Sequence, residues 1–351
     1  MKHKKSILFA AAAMIIAANL TACGHLTENA DYVYTGAETD SAFAYKKEPV
    51  TVNAFKLDTI ISISAYADID EAYLEETLKL CDHYEDLFSM HKEGSVLYRL
   101  NAGLTDKVPA ELGIVISKAL EYSTVSDGKF QISIGRVSEL WDFTSGNDEI
   151  PDRETVADAL KTVDDTKIRV YPANEDEYVV EKPSDTKIDL GAVAKGYIAD
   201  RLKEDLLSRG IQSAVINLGG NVLCVGDKNG EPFNIGIRRP FADNDDILLT
   251  MKLKDCSVVS SGISERYFEK DGRIYHHILD PKTGYPYENG LWQTTIVSKD
   301  SFTGDIMSTL CYAVGTDDAL KLCENDPETD IILVKDDLSL IKSDGIERFL
   351  Q

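Results

Sequence analysis

Hydrophobic positions in this chain alternate first and then cycle. From Val50 to Ala67 the apolar residues Val52, Phe55, Leu57, Ile61, Ile63 and Ala65 predict two short strands joined near Leu57-Asp58-Thr59. From Asp70 to Phe88, Leu74, Leu78, Cys81, Leu87 and Phe88 follow helical spacing, with acids on the outer face. Ser89 to Asn101 reads as a loop leading into a short helix. Pro109 to Ser126 is a helix stopped by Asp127-Gly128, and Val137 to Trp141 a helical turn. A helix over 151–160 is predicted to carry Pro151 in its first turn, and 168–182 a hairpin. Thr186 to Ile188 alternates as a short strand would. Beyond it Tyr197, Ile198, Leu202, Leu206 and Leu207 form a helix that Gly210 would cap. Strands are then expected over 214–217, 222–225, 233–237, 247–253, 257–261, 266–269, 274–279 and 292–297. A helix over 303–315 follows, then a helix at 319–325 and strands at 330–335 and 346–350. No internal repeat and no low-complexity linker follows Lys47. The pattern predicts one intertwined α+β or mixed α/β domain over 48–351.

The first residues do not belong to that domain. Lys2, Lys4 and Lys5 precede an apolar run from Ile7 to Leu20, too short and Ala-rich for a transmembrane span. The run ends in Leu20-Thr21-Ala22-Cys23, which resembles a bacterial lipobox with Cys23 as the lipidated residue. Residues 1–22 are therefore expected to be a lipoprotein signal peptide and 23–47 a polar tether. The mature chain is expected at the extracytoplasmic face of the cell membrane, held there by lipid.

Charge narrows the partners. The formal charge is −23, and loss of the three leader lysines makes it more negative still. Such a surface repels nucleic acid and anionic headgroups, so a phosphorylated ligand needs a metal or a few placed cations. Cys81, Cys224, Cys256, Cys311 and Cys323 are odd in number and lack CxxC spacing. That argues against a zinc site or a dense disulfide framework, and in favour of buried small apolar residues.

Five stretches carry candidate chemistry. Asp189 to Asp200 places a carboxylate, two glycines, two alanines and Lys195 where a helix begins. Small residues let a ligand approach the backbone, and helix-start amides receive anions; an ordinary strand-to-helix connection explains the same residues. In Ser301 to Thr309, Thr303 is a plausible N-cap that puts Asp305 in the first turn. Asp305 and Thr309 are then i and i+4 on one face. That oxygen pair suits Mg²⁺, although a capping Asp and a back-bonded Thr would look identical. Tyr275 to Pro286 ends a strand in a histidine pair before a strong turn. Adjacent strand side chains face opposite ways, so only one histidine enters a given site. Asn217-Leu218-Gly219-Gly220-Asn221 and Ser260-Ser261-Gly262 supply glycines and small donors, as a tight hairpin would.

Taken in order, these segments resemble the ApbE family of flavin transferases, which take FAD and attach its FMN half to a protein threonine. The matches are Asp189 to Gly196, Asn217 to Asn221, Ser260 to Gly262, His277 to Gly284 and Thr303 to Thr309. Weaker matches are Leu57-Asp58-Thr59, Ser89 to Asn101 and Phe130 to Trp141; together they cover roughly residues 50–350. The resemblance implies a T-fold-like domain and an enzyme with Mg²⁺ as cofactor and FAD as substrate. It implies magnesium ligands at Asp305, Thr309 and the Ala192 carbonyl, and flavin-nucleotide contacts at Leu57, His91, Gly135, Asp189, Lys195 and Ile278. It also implies catalysis by His277, with Asp280 as second choice of base. The chain departs from the family where Leu57-Asp58 replaces Met-Gly, where His91 stands near a usual aromatic, and where Arg136 replaces proline. The implied partner is an exported acceptor protein carrying a threonine flavinylation site, with AMP released. The alternatives are an FAD pyrophosphatase giving FMN and AMP, or a flavin-binding lipoprotein without chemistry.

Overall fold

The computed structural model of this chain describes residues 43–144, 146, 148–242 and 246–350. Cys23, the leader and the tether up to residue 42 lie outside the described residues. The chain opens with a hairpin of β1 (Tyr45–Lys56) and β2 (Thr59–Ala67). Its two-residue turn puts Leu57 and Asp58 at φ 53° and 56°, the left-handed pair that a tight hairpin requires. Helix α1 (Glu71–Phe88) starts at Asp70, whose carboxylate accepts from the Tyr73 amide. The short α2 (Val96–Asn101) is capped by Ser95, and β3 (Lys107–Pro109) leads into α3 (Ala110–Val125). Then come α4 (Gly135–Trp141) and α5 (Arg153–Leu160). Asp152 caps α5, so Pro151 lies before the helix and not in its first turn. β4 (Arg169–Pro172) and β5 (Glu177–Glu181) form the expected hairpin.

The strand expected at Thr186 to Ile188 does not form; Lys187 makes only one bridge, to Ile134. The reason is Asn101. Its side-chain amide donates to the Ile188 carbonyl and accepts from the Ile188 amide, both at 2.8 Å, occupying the groups a ladder would use. Helix α6 (Ala194–Ser208) follows, then β6 (Ser213–Leu218) and β7 (Asn221–Gly226), turning at Gly219 and Gly220. β8 (Phe233–Arg238) and β9 (Ile247–Leu253) pair with each other, and β10 (Ser257–Gly262) re-enters the main sheet. β11 (Tyr267–Lys270) and β12 (Arg273–His276) make a small hairpin, which ends at His276 and not at Leu279. β13 (Leu291–Ser298) precedes α7 (Ser301–Val314). Asp300, not Thr303, is the N-cap of α7, accepting from the Thr303 amide at 2.7 Å, so Asp305 lies past the first turn. Helix α8 (Thr316–Glu324), β14 (Thr329–Lys335) and β15 (Leu340–Lys342) complete the chain. The expected strand at 346–350 is instead a 3₁₀ turn over Asp344–Phe349, because β15 already takes the free edge of β14.

The result is a mixed α/β domain with one large sheet in the order β1-β2-β6-β7-β10-β13-β14-β15, every pair antiparallel. Ile61, Ile63, Ile216, Leu218, Leu223, Ile296 and Leu333 form one core with Leu74, Leu202, Leu206, Ile306 and Leu310 of the helices. Cys224, Val258, Val297 and Ile332 form a second core with Phe233, Ile237, Met251 and Leu253 of the β8–β9 hairpin. Burying each such leucine or isoleucine contributes about 1.5–3 kcal/mol. Helices α6 and α7 come closest at Gly196, beside the edge-to-face contact of Tyr197 with Phe302. A Cβ on Gly196 would lie 2.3 Å from the Ser301 carbonyl and 2.6 Å from the Asp305 Cβ. Asp200 of α6 accepts from the Ser301 and Phe302 amides, both at 2.8 Å, and so locks the start of α7. No described helix is long and apolar enough to cross a membrane.

Candidate active site

Two tight turns, β1–β2 and β6–β7, lie side by side: a Cβ on Gly219 would strike the Thr59 hydroxyl. They stand at one end of a cavity of about 1080 Å³, walled also by the start of α6, by α7 and by the β8–β9 hairpin. The cavity brings together Leu57, His91, Asp189, Ala192, Lys195, His277, Ile278, Asp305 and Thr309, residues scattered over 250 positions of sequence. Two candidates stay outside it. Gly135 packs on the Lys187 backbone, where a Cβ would come within 2.8 Å of the carbonyl, and serves the start of α4. Asp280 gives its carboxylate to the Lys282 amide (2.8 Å) and its carbonyl to Thr283 and Gly284, so it builds the turn.

Asp305 is the most enclosed charge, only 3 % exposed. Its Oδ2 accepts from the Gly196 amide at 2.8 Å, the contact that the bare Gly196 permits. Burial raises its carboxyl above the ordinary range, while Lys195 and the Gly196 amide pull it back. Beside it Asn221, 1 % exposed, accepts from the Ser301 hydroxyl (2.6 Å) and leaves its own Nδ2 without a partner in hydrogen-bonding geometry. One turn on, the Thr309 hydroxyl lies 3.2 Å from Ser261 Oγ, itself 2.7 Å from Ser308 Oγ. Asp189 Oδ1 accepts from the Gly191 amide at 2.8 Å, and Lys195 reaches back towards the Gly191 carbonyl at 3.4 Å. Small side chains at 191, 192 and 194 leave this stretch of backbone open to a ligand.

The histidine pair divides where β12 ends, His276 within the strand and His277 just beyond it. His276 is buried, with Nε2 2.9 Å from the Tyr287 carbonyl and Nδ1 accepting from the Ile278 amide. His277 faces the cavity, its amide donating to the Arg266 carbonyl (3.1 Å) and its Nδ1 3.3 Å from the same oxygen. The neutral tautomer that donates from Nδ1 leaves Nε2 as a proton acceptor. Burial, then the charges of Arg266 and His276, push the His277 pKa down to about 3. Glu265 was not a candidate in the sequence, yet it lines the same cavity. Desolvation and Asp305 push it up to about 7 against the pull of Lys195 and Arg266. Glu265 carries no spacing signal, and Asn221 was quoted only as part of a glycine turn; only the folded chain puts them next to Asp305.

Over residues 57–333 the sequence matches the ApbE family. The chain belongs to that family. It is 34% identical over 286 residues to the FAD:protein FMN transferase of Klebsiella pneumoniae (strain 342), covering 78% of this chain and 85% of that protein. It is 30% identical over 290 residues to the FAD:protein FMN transferase of Treponema pallidum (strain Nichols), covering 78% and 80%. Its fold superposes on the ApbE protein of Thermotoga maritima with a TM-score of 0.77 at 30% identity, over 87% of this chain and all of that one. The flavin transferase ApbE of Vibrio cholerae gives 0.76 at 23% identity, over 86% and 99%. This ApbE chain thus keeps the fold through nearly all of its described residues.

The donor set also bears on a metal. Among the described residues no three His, Cys, Asp or Glu side chains converge as a metal site. Asp305, the Thr309 hydroxyl and the Ala192 carbonyl are oxygen donors with a single formal charge, a set that fits a hard cation completing its shell with phosphate and water. Asp305 supplies the charge of that set: burial raises its carboxyl, and Lys195, the Gly196 amide and the Asn221 side chain pull it back.

Proposed function

We propose that this chain transfers the FMN half of FAD to a threonine hydroxyl of an exported acceptor protein, with AMP as leaving group. The observation that carries this reading is the single cavity in which Asp189, Ala192, Lys195, His277, Asp305 and Thr309 meet. The family supports it, since relatives over most of this chain are named FAD:protein FMN transferases. Phosphoryl transfer asks a protein mainly for positioning and neutralisation of charge. Asp305, Thr309 and the Ala192 carbonyl would hold Mg²⁺, which supplies Lewis-acid stabilisation of the pyrophosphate when bound. Lys195 adds a second cation at the same wall. Asp189 and the open backbone at Gly191 and Ala192 orient the nucleotide, and Leu57, His91 and Ile278 lie against it. His277, neutral and with Nε2 unprotonated, takes the proton of the attacking hydroxyl.

We further propose that residues 1–22 direct export and that lipid on Cys23 holds the mature enzyme at the extracytoplasmic face of the membrane. The test incubates the protein with FAD, Mg²⁺ and candidate exported proteins and weighs the products. An acceptor heavier by one FMN, lost when its threonine is changed to valine, supports transfer. Free FMN and AMP without an adduct would mean that the chain is a pyrophosphatase, and unchanged FAD that it is a carrier.

A further inference from the structure

The oxygens proposed to hold the cation are divided between two elements. Asp305 and Thr309 ride on α7, whereas Ala192 lies in the segment that enters α6. Whether all three can serve one cation is therefore set by how α7 sits against α6. Polar contacts fix that placement. The Gly196 amide of α6 donates to Asp305 Oδ2 at 2.8 Å. One turn further along α6, Asp200 accepts from two amides of α7, Ser301 on Oδ1 and Phe302 on Oδ2, both at 2.8 Å. Ser301 in turn donates its hydroxyl to Asn221 of β7 at 2.6 Å, and Asn221 stands beside Asp305. Gly196 and Asp200 are i and i+4 on α6, as Ser301 and Asp305 are on α7. The two helices are thus pinned at points about 6 Å apart along each axis. Two such points stop α7 from sliding or turning, where one would let it pivot.

Capping alone does not call for this arrangement. Asp300, next in sequence to α7, already caps it from the Thr303 amide at 2.7 Å. Asp200 reaches the same helix start from 101 residues away. Its carboxylate is also held against its own desolvation. Burial pushes the Asp200 carboxyl up to about 7, with Asp300 adding to the rise, while the Ser301 and Phe302 amides and Arg201 pull it back. From this geometry we infer that Asp200 is a positioning residue for flavin transfer, holding α7 on α6 so that Asp305 and Thr309 keep their place relative to the Ala192 carbonyl. Asp200 does not line the cavity and acts through the Ser301 and Phe302 amides. An asparagine there would set an NH₂ group against one of those amides. Backbone cannot rotate away as a side chain can, so α7 would shift on α6.

This role rests on the proposed cation site, and one titration separates the two. Mn²⁺ shares the oxygen preference of Mg²⁺ and is visible by electron paramagnetic resonance. It is titrated into the full chain, and the binding lost in Asp305→Ala defines the site. Asp200→Asn should weaken Mn²⁺ at that site by about 10–100-fold. Asp300→Ala removes the local cap and leaves the contacts between α6 and α7, so it should lower Tm and leave the Mn²⁺ affinity unchanged. In transfer, Asp200→Asn should need correspondingly more Mg²⁺ to reach half its maximal rate. Should Asp200→Asn not fold, Asp200→Ser keeps one acceptor oxygen and is titrated in its place, with a smaller loss expected. Wild-type Mn²⁺ affinity in the folded Asp200 variant overturns the inference. So does an equal loss in Asp300→Ala, which would make Asp200 a plain cap. A wild type without any Asp305-dependent Mn²⁺ site would remove the cation reading itself, and this role with it.

Discussion

In the proposed mechanism His277 works in its unprotonated form, and its surroundings keep it there. With a pKa depressed to about 3, the base form persists from that pH upwards and is lost only below it. The pH profile of kcat/KM for transfer should therefore show no His277 limb near the ordinary value of about 6.5. An acid limb at that value, abolished in His277→Gln, would contradict the assignment. His277→Ala should slow transfer by about 10²–10⁴-fold while FAD still binds, read by rapid mixing and by equilibrium dialysis. Loss of FAD binding alone would make His277 a binding residue. At this scale the sequence was partly legible. The i, i+4 spacing put Asp305 and Thr309 on one face, and both line the cavity; the strand rule said that one histidine would enter a site, and the family resemblance named His277, which lines it. Asp280 and Gly135 did not reach it, because turn chemistry and helix packing use the same residue types as a ligand site. Glu265 escaped for the opposite reason, since long-range proximity leaves no local pattern.

At the scale of elements, the site depends on how closely α6 and α7 approach. Gly196→Ala would press a methyl group into the Ser301 carbonyl and the Asp305 Cβ. Backbone cannot yield as a flexible side chain can, so this variant should lose about 1–3 kcal/mol of stability and most of its transfer activity. At Gly304 the nearest obstacle is the Ser298 hydroxyl, which can rotate, so Gly304→Ala should cost less. Urea melts of the two variants make the comparison, and equal losses would refute the crossing as the sensitive point. Hairpins and long helices were legible from periodicity, because each buries one face of a regular repeat. Thr186 to Ile188 was misread because Asn101 satisfies the Ile188 backbone from 87 residues away. The true cap of α7 was misplaced by three residues, since Asp300 and Thr303 are both good capping residues and only the fold chooses between them.

Across the whole molecule, a strongly acidic chain concentrates its few useful cations at one cavity. The net charge is −23, yet Lys195, Arg238, Arg239 and Arg266 line the same space as Asp305. Chelation should therefore abolish transfer reversibly, with Mg²⁺ restoring it, and high salt alone should not reproduce the loss. The proposed membrane tether makes a separate prediction: Cys23→Ser should move the protein from the membrane fraction to the soluble one, as judged by immunoblot. Retention of that variant at the membrane would reject the lipid anchor. The central claim is that the cavity around Asp305 performs flavin transfer, and one measurement addresses it most directly. Intact mass of the acceptor is recorded after incubation with saturating FAD and Mg²⁺ and either wild type or Asp305→Ala, both shown to be folded by circular dichroism. The account predicts an FMN adduct with wild type and none with the variant. An equal adduct from both would contradict it.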